Sequence, residues 1–191
     1  MLYNTLGKTG LKVSRLGFGT MRLPTTNSNA DINKQEASEM LTYGIENGIN
    51  IIDTAYPYHS AELDGNGNSE KFLGEYLTEN SLRDEIILQT KSPSWLMEKR
   101  SDFDYYLDIQ LEKLQTDYID IYLLHSLTVP DWNKVRDLGA LDFLDDGLSS
   151  GKIKHVGFSS HIEVDYFIEI LDEYPKWEVA LTQMNYLDEY Y

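Results

Sequence analysis

Four residues of this chain could together reduce a carbonyl group. Asp53, Lys91 and His125 each stand at the end of a predicted β-strand, and Tyr58 follows Asp53 in the next loop. Carbonyl reduction needs a hydride on carbon and a proton on oxygen, and a tyrosine can give that proton as a general acid. A phenol is a weak acid at neutral pH, so a nearby ammonium group that stabilises the phenolate assists it. The sequence therefore predicts a site in which Lys91 assists Tyr58.

The other two residues have supporting roles in the same chemistry. Asp53 would keep Lys91 charged and oriented, because a carboxylate that ends an apolar strand is costly without a partner. His125 would donate a hydrogen bond to the substrate oxygen and polarise the carbonyl. In the reverse, oxidative direction Tyr58 would act as the general base.

Each of these residues alone has a structural explanation. An aspartate at a strand end often caps a helix or pairs with a cation, a lysine is often solvated, and a histidine after an apolar run is often a core residue. Tyr58 is one of fourteen tyrosines. Only the combination on successive strands favours catalysis.

Bringing these residues together requires elements that end at one side of a fold. Two short alternating runs around Gly7-Lys8-Thr9-Gly10 predict an N-terminal β-hairpin. After it, an apolar strand, a loop and an amphipathic helix recur. The predicted strands are residues 16–19, 49–53, 86–90, 118–124, 155–159 and 179–184. The predicted helices are 34–47 capped by Asn33, 70–77 capped by Ser69, 102–114 capped by Ser101 with Asp104 in a capping box, 138–148 and 163–173.

The order of these elements predicts an α/β fold. The run Ile119-Asp120-Ile121-Tyr122-Leu123-Leu124 is typical of a strand buried on both faces of a parallel sheet. Gly17-Phe18-Gly19-Thr20 lacks the G-x-G-x-x-G fingerprint of a doubly wound sheet. That favours a (β/α)8 TIM barrel, whose active site lies at the C-terminal ends of its strands. Because about six βα units are counted, we expect residues 1–191 to form one barrel domain that lacks its last two βα units.

Composition excludes several classes of function. The chain carries 32 acidic and 16 basic residues, a net charge of -16, which argues against binding to nucleic acid or to an anionic membrane. It contains no apolar run of about 20 residues, no secretory signal pattern and no cysteine. Without cysteine, disulfides and thiolate metal sites are excluded within this chain. We predict no metal and a cytoplasmic location.

Several stretches resemble the aldo-keto reductase family over essentially the whole chain. They are residues 16–24, 48–58, 68–74, 90–91, 117–125, 151–159 and 183–186. The resemblance implies an eight-stranded barrel that binds NADP (NADPH) and reduces aldehydes or ketones to alcohols. It implies that Tyr58 is the acid, that Asp53 and Lys91 support it, and that His125 orients a small-molecule carbonyl substrate.

The resemblance also implies a set of cofactor contacts. Ser159 and Gln183 would meet the nicotinamide carboxamide, while Ser160 stands where many members have asparagine. The full set is Gly19, Thr20, Met21, Asp53, Ser159, Ser160 and Gln183.

The motifs are similar to those of a bacterial subgroup whose members often carry a C-terminal iron–sulfur segment, which these 191 residues do not include. They are Tyr-Pro-Tyr-His at 56–59, Gly-Phe-Ser-Ser-His at 157–161 and Asn-Tyr-Leu-Asp-Glu at 185–189. The loop of residues 61–67 is longer than the resemblance implies, and we expect a surface insertion beside the site.

Two further readings remain open beside a reductase. Strands seven and eight, which in the family hold the cofactor phosphates, are not among the six predicted here. The chain could therefore be an inactive fragment with weak or no cofactor binding. Lyase or isomerase chemistry on a barrel is a third reading, which the four residues disfavour. The first and sixth strands would form open apolar edges that invite self-association.

Overall fold

The computed structural model describes residues 1–62, 65–184 and Leu187. Strands β1 (Tyr3–Thr5) and β2 (Lys12–Ser14) form the predicted antiparallel hairpin. A second sheet is parallel and curled, with its strands neighbouring one another in sequence order. Its strands are β3 (Phe18–Gly19), β4 (Ile51–Asp53), β5 (Ile87–Ser92), β6 (Ile119–Leu127), β7 (Ile153–Ser160) and β8 (Val179–Thr182).

Helices connect the successive parallel strands. They are α1 (Lys34–Glu46), α2 (Ser69–Glu79), α3 (Arg100–Leu114), α4 (Val129–Asp137), α5 (Ala140–Ser150) and α6 (Val164–Glu173). Short 3-10 turns lie at Arg83–Glu85 and Ser94–Leu96. A sequential strand order is that of a TIM barrel, whereas a doubly wound sheet reverses its strand order. The predicted barrel-type α/β fold is confirmed over six strands.

The core lies between the sheet and its helices. Its fully buried side chains include Ile52, Leu88, Phe103, Tyr122, Phe143 and Phe158. A buried polar network ties α2 and α3 to β5: the Glu70 carboxylate accepts from Thr90 Oγ1 at 2.7 Å and from Gln110 Nε2 at 2.5 Å. Lys113 Nζ lies 3.0 Å from the same carboxylate. Because a buried carboxylate is costly unless paired and hydrogen-bonded, this network fixes two helices on the strand that carries Lys91.

Four predicted helix starts differ from the observed ones by one or two residues: those of α2 and α3, that of α5, which begins at Ala140 rather than 138, and that of α6, which begins at Val164 rather than 163. Helix α2 begins at Ser69 with Asn68 as its cap, because the Ser69 hydroxyl is drawn into the core, where it donates to Thr20 Oγ1 at 2.7 Å. Helix α3 begins at Arg100 rather than 102. The Asp102 carboxylate, not that of Asp104, accepts from the backbone N–H of residues 98 and 99 and closes the first turn.

Helix α4 is absent from the predicted elements. The Thr128 hydroxyl accepts from the Asp131 N–H at 3.2 Å and caps the helix, and Pro130 lies in its first turn. Threonine followed three residues later by an acidic residue is a start signal for a helix, and proline favours the first turn. Over the described ranges, no helix is both long and apolar enough to cross a lipid bilayer.

Candidate active site

Lys91 is the centre of the site that the strand ends create. Its side chain is only 1% exposed on β5. Its ammonium donates to Asp53 Oδ2 at 2.7 Å, to the Thr54 carbonyl at 2.9 Å and to the Tyr58 hydroxyl at 2.8 Å. An ammonium group has three donors, so each of its protons has a partner. This is the condition under which a buried charge is tolerated.

Asp53 is held on both of its oxygens. It is the last residue of β4, and Oδ1 accepts from Gln89 Nε2 at 2.6 Å while Oδ2 faces Lys91. Strands β4 and β5 pair in parallel with Asp53 opposite Gln89. Side chains alternate between the two faces of a strand, so Gln89 and Lys91 lie on the same face. The sheet register therefore puts the amide and the ammonium group on one carboxylate.

Tyr58 lies in a tight loop that begins after β4. An ammonium group can only donate, so the Tyr58 oxygen accepts from Lys91 and the phenol hydrogen remains free to donate elsewhere. The loop folds back on the start of α2, where the N–H groups of Gly67 and Ser69 donate to the carbonyls of Tyr56 and Tyr58. The described residues therefore provide the geometry that a proton donor needs: a fixed oxygen, a cation behind it and a hydrogen that none of these residues accepts.

His59 anchors this loop and was not among the predicted site residues. Its ring is almost fully buried. Its Nε2 accepts from the Leu23 N–H at 3.1 Å, and its Nδ1 lies 2.7 Å from the Asn29 carbonyl. Because Nε2 accepts a hydrogen bond from the Leu23 N–H, it carries no proton. The ring proton is therefore on Nδ1, which donates to the Asn29 carbonyl. The histidine that follows Tyr58 thereby joins the tyrosine loop to the chain after β3.

His125 lies opposite Tyr58 near the end of β6. The two rings meet edge to face with centroids 5.9 Å apart, and the Trp95 ring lies 5.4 Å from His125. Burial, followed by the charges of Lys91 and His161, lowers the pKa of His125 from 6.5 to about 3. The imidazole is therefore neutral at physiological pH and carries one N–H donor. Its buried Nδ1 has no hydrogen-bond partner in the described part of the chain.

A cleft of about 750 Å³ opens over Tyr58 and His125. Met21, Trp95 and Glu62 contribute to its walls, so the loop of residues 61–67 borders the site as expected. Leu63 and Asp64 of that loop lie outside the described residues. Asp53 and Lys91 are not among the lining residues, because they lie behind the tyrosine. The cleft gives a small molecule access to the tyrosine hydroxyl and the imidazole.

The predicted cofactor contacts are spread over several strand ends. The Ser159 hydroxyl accepts from the Ser126 N–H at 2.8 Å, and no acceptor for its own hydrogen occurs among the described residues. The Ser160 hydroxyl donates to the Leu127 carbonyl at 2.7 Å and accepts from the Ile162 N–H. Both serines are buried at the end of β7, whereas Gln183 is exposed just beyond β8.

The remaining predicted contacts lie around β3. Gly19 ends that strand, and a Cβ placed on it would meet no atom within 4 Å. The Thr20 hydroxyl is fully buried and donates to the Asp53 carbonyl at 3.0 Å, whereas Met21 is exposed and lines the cleft. Residues 185 and 186, which continue the matching stretch after Gln183, lie outside the described residues.

Comparison with known proteins places this arrangement in a family. The sequence model of the aldo/keto reductase family matches residues 15–189. The chain is 29% identical over 213 aligned positions to Protein tas of Escherichia coli, covering 97% of this chain and 60% of that protein. It is 28% identical to the NADH-specific methylglyoxal reductase of Escherichia coli, covering 96% and 59%.

A solved structure supports the same assignment. The holo form of an aldo-keto reductase from Bacillus halodurans superposes with a TM-score of 0.74 at 28% identity, covering 96% of this chain and 58% of that one. The chain thus spans about 60% of the length of the curated relatives that it matches. From the family match over most of its length, the chain belongs to the aldo-keto reductase family.

Proposed function

We propose that this chain carries the proton-transfer site of an NAD(P)H-dependent oxidoreductase that reduces aldehydes or ketones to alcohols. The observation that carries the proposal is the ammonium of Lys91, which donates to the Tyr58 hydroxyl at 2.8 Å and to Asp53 at 2.7 Å. Tyr58 gives its free hydrogen to the carbonyl oxygen, and the cation stabilises the phenolate that remains. Asp53 keeps the cation fixed without touching the substrate.

His125 acts as a neutral hydrogen-bond donor to the same oxygen. Because its pKa is lowered to about 3, it stays uncharged and does not compete with Tyr58 as the acid. A donor aimed at developing negative charge in a site with little water stabilises the transition state. Tyr58 therefore supplies the proton, and His125 polarises the carbonyl bond.

The donor set at the strand ends fits a nicotinamide carboxamide. Ser159 retains a hydrogen to donate, whereas Ser160 donates its hydrogen to Leu127, accepts from the Ile162 N–H and has one lone pair left to accept with. A carboxamide offers one acceptor and one donor group, which matches this pair. The open space over Gly19 leaves room for a ring. When bound, a reduced nicotinamide would supply the hydride to the carbonyl carbon.

The preference between NADPH and NADH is part of the test. The resemblance favours NADP, while one relative is named as NADH-specific.

Six parallel strands are described here and a barrel of this class has eight, so we propose that residues 1–191 represent a barrel domain without its last two βα units. The competing hypothesis is that this chain binds cofactor weakly or not at all. Because the chain covers only 60% of the length of its relative Protein tas, cofactor binding has to be measured directly.

A titration followed by a single substitution tests the proposal. The purified chain is titrated with NADPH and, separately, with NADH while the fluorescence of Trp95, Trp132 and Trp177 is recorded. Saturable quenching is expected. Tyr58→Phe should then lower carbonyl reduction by about 10²–10⁴-fold, the usual contribution of a general acid, with cofactor binding unchanged.

The matched control is Tyr43→Phe, which removes the hydroxyl of an exposed tyrosine on α1 and should leave both binding and reduction unchanged. Absence of saturable binding would show that this chain is not itself the enzyme. Full activity of Tyr58→Phe would refute the role of Tyr58 as proton donor.

A further inference from the structure

The backbone after His125 leaves the regular sheet. Strands β6 and β7 pair in register as far as Leu124 opposite Phe158, and the register shifts before Leu127. Between these residues, Ser126 has a positive φ of 51°, a conformation that costs free energy for residues other than glycine. The N–H groups of residues 125 and 126 therefore need partners other than the strand ladder.

Two serine hydroxyls provide those partners, one from the turn after β5 and one from β7. The His125 N–H donates to Ser94 Oγ at 3.0 Å, and the Ser126 N–H donates to Ser159 Oγ at 2.8 Å. Ser94 lies just after β5 and Ser159 lies in β7. Both serines are buried. The turn that carries the imidazole is thus held from both sides.

The imidazole itself has no comparable restraint. Its Nδ1 is buried without a hydrogen-bond partner among the described residues, and its ring neighbours are the edges and faces of Tyr58 and Trp95. In many sites the second ring nitrogen of a functional histidine is bonded to a fixed acceptor, which sets the ring orientation. Here the direction of the ring depends on packing and on the backbone at residue 125.

We propose that Ser94 and Ser159 are positioning residues that hold the His125 turn through their hydroxyl oxygens and so aim the imidazole at the substrate oxygen. The inference rests on the proposed role of His125 in orienting the carbonyl. Neither serine needs to touch the substrate for this role.

Ser159 has a second consequence, because its hydroxyl hydrogen is still available. If that hydrogen is donated to the carboxamide of a bound nicotinamide, the oxygen becomes a better acceptor, since hydrogen bonds in a chain polarise one another. The bond from the Ser126 N–H is then strengthened. Cofactor binding would in this way tighten the turn that aims His125, whereas Ser94 would hold the turn equally with or without cofactor.

Amide hydrogen exchange on the full chain without ligand directly tests whether the two serine hydroxyls stabilise the turn at residues 125 and 126. Ser94→Ala should accelerate exchange of the His125 amide by about tenfold, and Ser159→Ala should do the same for the Ser126 amide, as expected for the loss of one hydrogen bond. The matched control is Ser14→Ala. Ser14 is a buried serine in β2 whose hydroxyl accepts from the Asn50 N–H at 3.2 Å. Its loss should leave both amides unchanged.

A second readout reports the imidazole rather than the backbone. In ¹⁵N spectra, the protonation midpoint of His125 should rise in Ser94→Ala and Ser159→Ala, because a loosened turn admits water to the ring. Ser94→Thr and Ser159→Thr keep a hydroxyl and should restore the wild-type midpoint. In an active preparation with cofactor, Ser94→Ala should lower kcat without weakening cofactor binding.

Unchanged exchange of both amides in the alanine variants would overturn the proposal. So would accelerated exchange with an unchanged His125 midpoint, since the serines would then hold the backbone without aiming the ring. Both readouts are made without cofactor or substrate. A chain that reduces no carbonyl would therefore refute the proposed function separately, whatever the exchange and titration results are.

Discussion

At the scale of single residues, the site depends on how its charges are compensated. The ammonium group of Lys91 can be buried because Asp53, Thr54 and Tyr58 accept hydrogen bonds from its three N–H groups. The ring of His125 lies 5.9 Å from the Tyr58 ring, and burial together with the charge of Lys91 keeps it neutral. Burial beside a charged group thus lowers the pKa of His125, and perturbed pKa values of this kind are typical of functional sites.

The lowered pKa of His125 predicts a pH dependence of stability. The pKa is about 3 in the folded chain and 6.5 when unfolded, so the unfolded state binds more protons between these values. The stability contributed by the neutral ring is therefore complete above about pH 6.5 and is lost as the pH falls towards 3. We expect a loss of roughly 2 kcal/mol between pH 7 and pH 5, measured by urea denaturation.

The control for this prediction is His125→Gln, which removes the titrating group. The other three histidines are present in both proteins. The difference between the two stability curves should therefore isolate the contribution of His125. A difference that does not change between pH 7 and pH 5 would show that the ring is not held neutral by burial.

Asp53, Lys91 and His125 could be predicted because strand periodicity and strand ends are readable in the sequence, whereas Tyr58, one of fourteen tyrosines, was singled out by its combination with them and by the family resemblance. The structure places Lys91 in direct contact with Asp53 and Tyr58, while the catalytic roles of the four residues stay a prediction. His59 and Ser94 were not predicted, because each acts through a hydrogen bond to backbone from a different part of the chain. Such bonds depend on the path of loops, which no periodic pattern encodes.

At the scale of elements, the tyrosine loop depends on the close approach of Gly67. A Cβ at that position would lie 2.0 Å from the Tyr58 carbonyl oxygen and 2.8 Å from the Pro57 carbonyl carbon. These are backbone atoms that cannot rotate away. We expect Gly67→Ala to lower the free energy of unfolding by about 1–3 kcal/mol, as overpacking usually does, and to displace Tyr58 from Lys91.

The matched control is Gly17→Ala, whose Cβ would meet an Ile51 methyl group at 3.3 Å. Its cost should be smaller, because a side-chain methyl can move by a few tenths of an ångström. Urea denaturation measures both variants. Equal costs would contradict a specific constraint at Gly67.

The predicted elements differ from the observed ones mainly at their ends. Ser69 resembles a helix cap in sequence, yet its hydroxyl joins the Thr20 hydroxyl in the core. Helix α4 carries a readable start at Thr128 and Pro130 but was not predicted. Local signals compete with tertiary contacts at helix ends. The strand ends shift as well, since β6 runs to Leu127 rather than 124 and β7 begins at Ile153 rather than 155.

At the scale of the whole molecule, the sheet formed by the described residues ends at β3 on one side and at β8 on the other. Beside β3, Leu16, Met40 and Tyr43 are exposed around an apolar groove of about 430 Å³. At the other side, α6 and β8 expose Val164, Ile168 and Leu181. Exposed apolar strand edges promote association with other chains, and we propose self-association of this chain through these sides.

Sedimentation measurements on charged variants test this proposal. Val164→Lys combined with Ile168→Lys should shift the chain towards monomer, because burying an ammonium group in an interface is costly. Tyr105→Lys, at an exposed tyrosine on α3 between these two sides, is the control and should leave the distribution unchanged. A wild-type chain that sediments as a monomer at all concentrations would contradict the proposal.

The burial of Lys91 also gives the molecule a chemical reporter. Amine-reactive reagents modify lysines only where the amine is accessible, and the Lys91 amine is buried while β4 and β5 remain paired. Exposed lysines such as Lys34 and Lys152 would be labelled in the folded state. The rate at which Lys91 is labelled therefore measures how often the centre of the sheet opens. The labelling rate of the exposed lysines serves as an internal reference.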